Sequence, residues 1–110
     1  LVFGIKIIMI MKINFKLFPM FTGINKKEMV ACDVTYSLAN NLYTKVPDNI
    51  GAHCLAEKIY NMGGNVDLND QEVEIIRFAY PVFTGAFADS FEHYLKTYKE
   101  KEEQHEKGIL

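Results

Sequence analysis

The sequence contains no tryptophan, two cysteines, three prolines and a single arginine, Arg77. Each shortage excludes something. Cys32 and Cys54 are too few for a disulfide-stapled scaffold and too far apart for a CxxC redox or zinc motif. Both are expected to be buried small apolar residues in a reducing compartment, which implies a cytoplasmic location. With one arginine and a net charge of -2, the chain lacks the long-range positive field of a non-specific nucleic-acid binder. Long uncharged apolar runs are missing too. Lys6, Lys12 and Lys16 interrupt the apolar N-terminal stretch well short of the roughly 18 to 20 residues a spanning helix requires, so no membrane segment is expected. They also leave residues 7–11 too short for the apolar core of a signal peptide, and no small-residue cleavage site follows.

What is present suffices for one domain. The 110 residues are 49% hydrophobic and 13% aromatic, enough apolar side chain to offset chain entropy without staples. Ile, Lys, Asn, Phe, Tyr and Met are abundant, all with AT-rich codons, which points to an AT-rich bacterial or mobile-element genome. Leu1 opens the chain while Met11-Lys12-Ile13 looks like a translation start, so residues 1–10 are expected to be an extension.

From Phe3 to Leu17 every second residue is apolar, the period of a strand with one buried face. Pro19, which removes a ladder donor, and the turn residues Thr22-Gly23-Ile24-Asn25 are expected to stop or bend this strand near residues 18–22. A turn through Asn25-Lys26-Lys27 then leads to a partner strand at residues 28–33. Asp33 or Thr35 can cap a first helix that buries Leu38, Ala39, Leu42 and Tyr43 and ends near Lys45, ahead of Pro47. Asp48 can cap a second, residues 49–62, with Ala52, Leu55, Ala56, Ile59 and Met62 inward and Gly63-Gly64 closing it. Asn69 with Glu72 forms a capping-box signature. Behind it a long apolar stripe runs to about residue 98, and Pro81 and Gly85 should kink or split that helix. Residues 99–110 are charged all round, a solvated, fraying tail. The expected fold is therefore α+β: an N-terminal strand or β-hairpin packed against two short helices and a long kinked C-terminal helix. Residues 1–58 carry a net +3 and residues 59–110 a net -5, so the two halves should attract.

Constellations that could carry chemistry fail on spacing. His53, Cys54, Cys32 and His93 have zinc-ligand chemistry but none of the short spacings that preorganise a site. A Cys–His nucleophile pair using His93 has no local motif. Residues 67–78 open like a calcium loop, yet Glu72 stands where glycine is needed and Phe78 where a bidentate Glu is needed. Gly63-Gly64 follows a helix instead of preceding one, the wrong arrangement for a phosphate cradle. No catalytic, cofactor-binding or metal-ligating residue is assigned, and no cofactor is expected.

Two surfaces remain. Phe83, Phe87, Phe91, Tyr94 and Tyr98 repeat at helical spacing as core or interface, and their stripe is wide enough to serve as a partner surface. A strand from Phe3 to Leu17 would span about 50 Å at roughly 3.3 Å per residue, against a domain diameter of about 35 Å. Its first part is therefore expected to project and self-associate through Phe3, Ile5, Ile7, Met9 and Ile10, making the protein a homo-oligomer.

The short helix ending Leu42-Tyr43-Thr44, the second reading Ala56-Glu57-Lys58-Ile59-Tyr60, and the run from Val66 to Val73 before a long helix resemble small uncharacterised open reading frames of tailed phages and prophages, over residues 30–95. The resemblance implies a phage-associated accessory or assembly protein and carries over no site residue. Together these readings favour a non-enzymatic protein–protein interaction or assembly module with an unknown protein partner. The alternative is a nucleic-acid-binding accessory protein using the lysine-bearing strand face, a reading that the net charge of -2 argues against.

Overall fold

The alternation that opens the chain persists as structure only to Phe15. In the computed structural model, which describes residues 10–47 and 51–109 and their side chains as far as Lys99, strand β1 is Met11–Ile13. Met11, Ile13 and Phe15 are buried and Lys12 is exposed, as a one-faced strand requires. The strand stops where Asn14 captures the backbone: its Oδ1 accepts from the amides of Lys16 (3.0 Å) and Leu17 (3.2 Å), winding Phe15–Leu17 into a 3-10 turn. That turn shifts the phase by one residue. Leu17, expected inside, is exposed, and Phe18 takes the interior position.

The strand that resumes there stops at Phe21, inside the expected window of residues 18–22 and just before the turn at Thr22-Gly23-Ile24-Asn25, but Pro19 is not what stops it. Strand β2 (Phe18–Phe21) runs through that proline and pairs antiparallel with β3 (Met29–Cys32), Pro19 lying opposite Ala31. The reason is the phase of the ladder. Thr22 donates to the Glu28 carbonyl at 3.0 Å, so hydrogen-bonded pairs fall at Thr22, Met20 and Phe18, and the intervening residues direct their N–H away from β3. Phe21 accordingly donates outward, to Ser90 Oγ at 2.9 Å. Pro19 shares that outward phase, where no ladder donor is required.

Helix α1 (Thr35–Lys45) is started by Asp33, whose carboxylate accepts from the Thr35 amide at 3.1 Å. It buries Leu38, Ala39 and Leu42 as expected, but Tyr43 is exposed. Helix α2 (Ala52–Met62) begins behind Gly51, at φ 85, a few residues later than expected; the proposed Asp48 cap lies outside the described residues. Ala52, Leu55, Ala56 and Ile59 face the core, while Met62 is half exposed. Gly63, at φ 39, closes the helix, and a β-carbon there would stand 2.7 Å from Lys16 Cε. Its carbonyl accepts from the Phe15 amide at 2.9 Å, so the chain crosses itself there.

Strand β4 (Val66–Leu68) has no counterpart among the elements expected from the sequence. It pairs antiparallel with β1, Ile13 opposite Val66 and Met11 opposite Leu68. Helix α3 (Asp70–Phe78) carries the complete capping box, Asn69 accepting from the Glu72 amide and Glu72 from the Asn69 amide. Glu72 also receives both short bonds from Lys58 Nζ at 3.0 Å, tying α3 to α2. The proline region splits the long helix instead of bending it: Tyr80–Val82 form a 3-10 turn and α4 runs from Gly85 to Ile109, continuing through the segment expected to fray.

The fold is α+β: the described residues form two small antiparallel sheets and four α-helices around a core in which Phe18 contacts the rings of Phe15, Phe87, Phe91 and Tyr94 at 5.5–6.3 Å. The unequal charge of the two halves is used at Lys26–Asp89 (3.4 Å) and Lys58–Glu72 (3.0 Å), which both cross between them. Among the described residues no helix is long and apolar enough to cross a membrane.

Candidate functional site

The residues expected to act at surfaces are placed differently from that reading. Phe87 and Phe91 are buried, and Phe83, Tyr94 and Tyr98 are half-buried against the same core. This stripe is an inner wall of the domain, so its aromatic character is accounted for within one chain and it does not form an open partner surface. Its polar atoms are engaged as well: the Tyr94 hydroxyl donates to the Lys12 carbonyl at 3.1 Å and that of Tyr98 to the Ile10 carbonyl at 3.5 Å, on the edge of β1 that β4 does not use. Phe3, Ile5, Ile7 and Met9 lie outside the described residues, and Ile10 is 57% exposed.

The cysteines are not the buried residues expected. Cys54 is exposed on α2 and Cys32 is half-buried on β3; both are free thiols. A helix presents its outward side wherever the apolar period leaves a gap, and position 54 falls in that gap between Ala52 and Leu55. Cys32 pairs with Phe18 at one end of β2, while the His93 ring contacts Phe21 at the other (5.4 Å), about 10 Å away along the strand. They do not form a nucleophile pair. Among the described residues no three His, Cys, Asp or Glu side chains cluster as metal ligands.

The lysines do not form a continuous basic face. Lys12 lies opposite Asp67 in the β1–β4 register, Lys16 lies close enough to Asp33 to favour its charged form, and Lys26 pairs with Asp89. The carboxyl of Asp33 is held below its ordinary value chiefly by the bond it accepts from the backbone amide of Thr35.

Titration shifts concentrate where α3 meets α4. Arg77 reaches both oxygens of Glu92, from Nε (2.8 Å) and a terminal nitrogen (3.1 Å), and also bonds Glu74 at 2.8 Å. Tyr80 donates to Glu92 at 2.7 Å. The Arg77 fork lowers the Glu92 carboxyl despite partial burial, and burial followed by the bond to Glu92 raises the Tyr80 phenol. These groups satisfy one another. Their arrangement fastens α4 to α3 across the proline turn, and although Glu74 and Arg77 border a shallow cleft, their polar atoms are spent on one another.

A groove between α1 and α2 has no counterpart in the sequence expectations. Ala39 and Ala56 are small and buried, so α1 and α2 approach closely and the next residues outward form the banks of a groove of about 410 Å³. On α1 the stripe is Tyr36, Asn40 and Tyr43; on α2 it is Glu57, Tyr60 and Asn61. Tyr36, Tyr43 and Tyr60 are 67%, 62% and 63% exposed. At one end Tyr43 packs on the His53 ring (5.4 Å), and His53 Nε2 sits 3.1 Å from Glu57. The signal was available. Tyr36 and Tyr43 are two turns apart on α1, but Tyr43 was assigned to the buried face because it follows Leu42 in an apolar pattern.

The groove offers flat aromatic surface, amide donors and acceptors, and one carboxylate. It contains no nucleophile held by a base. No family model, curated protein or solved structure matches the chain.

Proposed function

We propose that the protein is a non-enzymatic protein–protein interaction module that receives its partner in the α1–α2 groove. One observation carries this reading: three of its six tyrosines stand more than half exposed on a small-residue floor, next to paired asparagines. Tyrosine is favoured at interfaces because it brings a large, rigid apolar face and a polar tip at low entropic cost, and asparagine adds adaptable hydrogen bonds. The displaced titrations at Arg77, Tyr80 and Glu92 do not line this groove, which agrees with recognition instead of proton transfer. A role as an accessory or assembly factor of a mobile element fits the reading and rests on the sequence resemblance alone.

The test is selection of a displayed random-peptide library on the intact protein, with counter-selection on the Tyr36→Ala/Tyr43→Ala/Tyr60→Ala variant. Peptides should be enriched that bind the parent at micromolar affinity and lose tenfold or more on the variant, about 1.4 kcal/mol. Enrichment of peptides indifferent to the three substitutions, or of none, refutes the groove.

A further inference from the structure

We infer that β3 is a self-complementary edge through which two copies of this chain pair, joining their hairpins into one antiparallel sheet centred on Val30. This surface is separate from the α1–α2 groove and does not depend on its role.

The phase of the β2–β3 ladder makes Met29 and Ala31 the residues whose N–H and C=O point away from β2, and among the described residues no hydrogen bond reaches them. The opposite edge of the hairpin is covered, Phe21 donating to Ser90 of α4. β3 is therefore an open edge, and it is apolar: Val30 is 52% exposed, with Met29 and Ala31 exposed beside it. Natural edges of this kind are ordinarily blocked by proline, a bulge or an inward charge, and β3 contains none of these.

The occupant follows from the charges that flank the strand. Place a two-fold axis on Val30, and Met29 of one copy exchanges both backbone bonds with Ala31 of the other. The same register sets Lys27 opposite Asp33, once on each side of the axis. Both residues are exposed and flank β3 in the odd-numbered phase of Met29 and Ala31; Asp33 keeps its bond to the Thr35 amide, so the match is one of opposite charge across the pair, which is favourable. A single-residue slip in either direction loses this match. Val30 meets its own counterpart at the non-hydrogen-bonded position, where side chains approach most closely. An isologous contact of this kind closes on itself as a dimer.

Sedimentation velocity of the full chain from a few to several hundred micromolar should show a reversible dimer. Ala31→Pro removes one outward donor and leaves the β2–β3 ladder intact; it should raise the dimer Kd at least about tenfold. Lys27→Glu should raise it about threefold, by setting like charges opposite each other. With Cys32 and Cys54 both replaced by serine, Val30→Cys should give an inter-chain disulfide on oxidation, because non-hydrogen-bonded pairs have Cα atoms about 4.5 Å apart. A parent chain that stays monomeric throughout the range overturns the inference. So does a dimer that folded Ala31→Pro leaves unchanged, or one abolished only by removing residues 1–9. Should Ala31→Pro fail to fold, the cross-link decides, and its absence is a refutation.

Discussion

The six tyrosines divide into two groups that behave oppositely. Tyr80, Tyr94 and Tyr98 lie along the α3–α4 side, half-buried, each hydroxyl committed to a named acceptor: Glu92, the Lys12 carbonyl and the Ile10 carbonyl. Tyr36, Tyr43 and Tyr60 stand on the α1–α2 side, more than half exposed, with hydroxyls that accept or donate nothing among the described residues. The first group anchors one element to another. The second contributes little that the fold requires. One residue type thus has two uses here, and the difference is whether its hydroxyl ties one element to another or its ring projects from a floor of alanines.

Substitutions can break this contrast. The largest effect should come from the wall the first group rests on. Phe91 is fully buried and touches Tyr80, Phe87 and Phe18, so Phe91→Ala should lower unfolding free energy by about 3–5 kcal/mol in urea titration. Removing the Asn69 cap, by Asn69→Ala, should cost about 1 kcal/mol by the same measurement. Tyr94→Phe deletes one hydroxyl and orphans the Lys12 carbonyl; a loss of about 0.5–1.5 kcal/mol is expected. Tyr36→Phe and Tyr60→Phe should change stability by less than about 0.5 kcal/mol, and a larger loss would mean that the second group is structural after all.

The pH profile sharpens the same comparison. The phenols of Tyr80 and Tyr94 are raised by burial above their ordinary 10.0, so the folded state holds their protons more tightly than the unfolded state. Their contribution is fully present below pH 10 and is lost as pH rises beyond it. Tyr80→Phe should flatten this alkaline fall, and Tyr36→Phe should not. On the acid side, Glu92 and Asp33 are lowered, so their contribution is present above the ordinary carboxylate range and is lost as pH falls below about 4. Because Glu92 and Arg77 are partly solvated, this acid effect should be small and should shrink with added salt.

How far the sequence could be read depended on whether a signal was local. The Asn69–Glu72 box, the stop at Gly63 and the break at Pro81 each follow from a few adjacent side chains, and all three stand in the structure. The run from Phe3 to Leu17 misled because alternation does not register a side chain capturing the backbone: Asn14 ended the strand without altering the apolar pattern. β4 was invisible because three residues carry too little periodicity, and its partner lies elsewhere in the chain. The turn at Thr22–Asn25 ends β2 where its residues indicate, whereas the tolerance of Pro19 inside the strand depends on ladder phase, which only the pairing reveals. The groove escaped notice for a related reason. Its banks are recognised by what α1 and α2 leave uncovered, and that depends on their packing against each other.

The pairing of β1 with β4 also bears on the order in which the molecule assembles. The β2–β3 hairpin and the α1–α2 pair each join neighbours in the chain, whereas Ile13 and Val66 are brought together from more than fifty residues apart. Closing a loop of that length carries an entropic cost that local turns avoid, so the β1–β4 clasp should form after the rate-limiting barrier. Val66→Ala should then speed unfolding while leaving the refolding limb of the chevron nearly unchanged, with a φ-value close to zero. Once formed, the clasp ties the N-terminal strand to the middle of the chain, and the lifetime of the native state should follow how rarely those few residues let go.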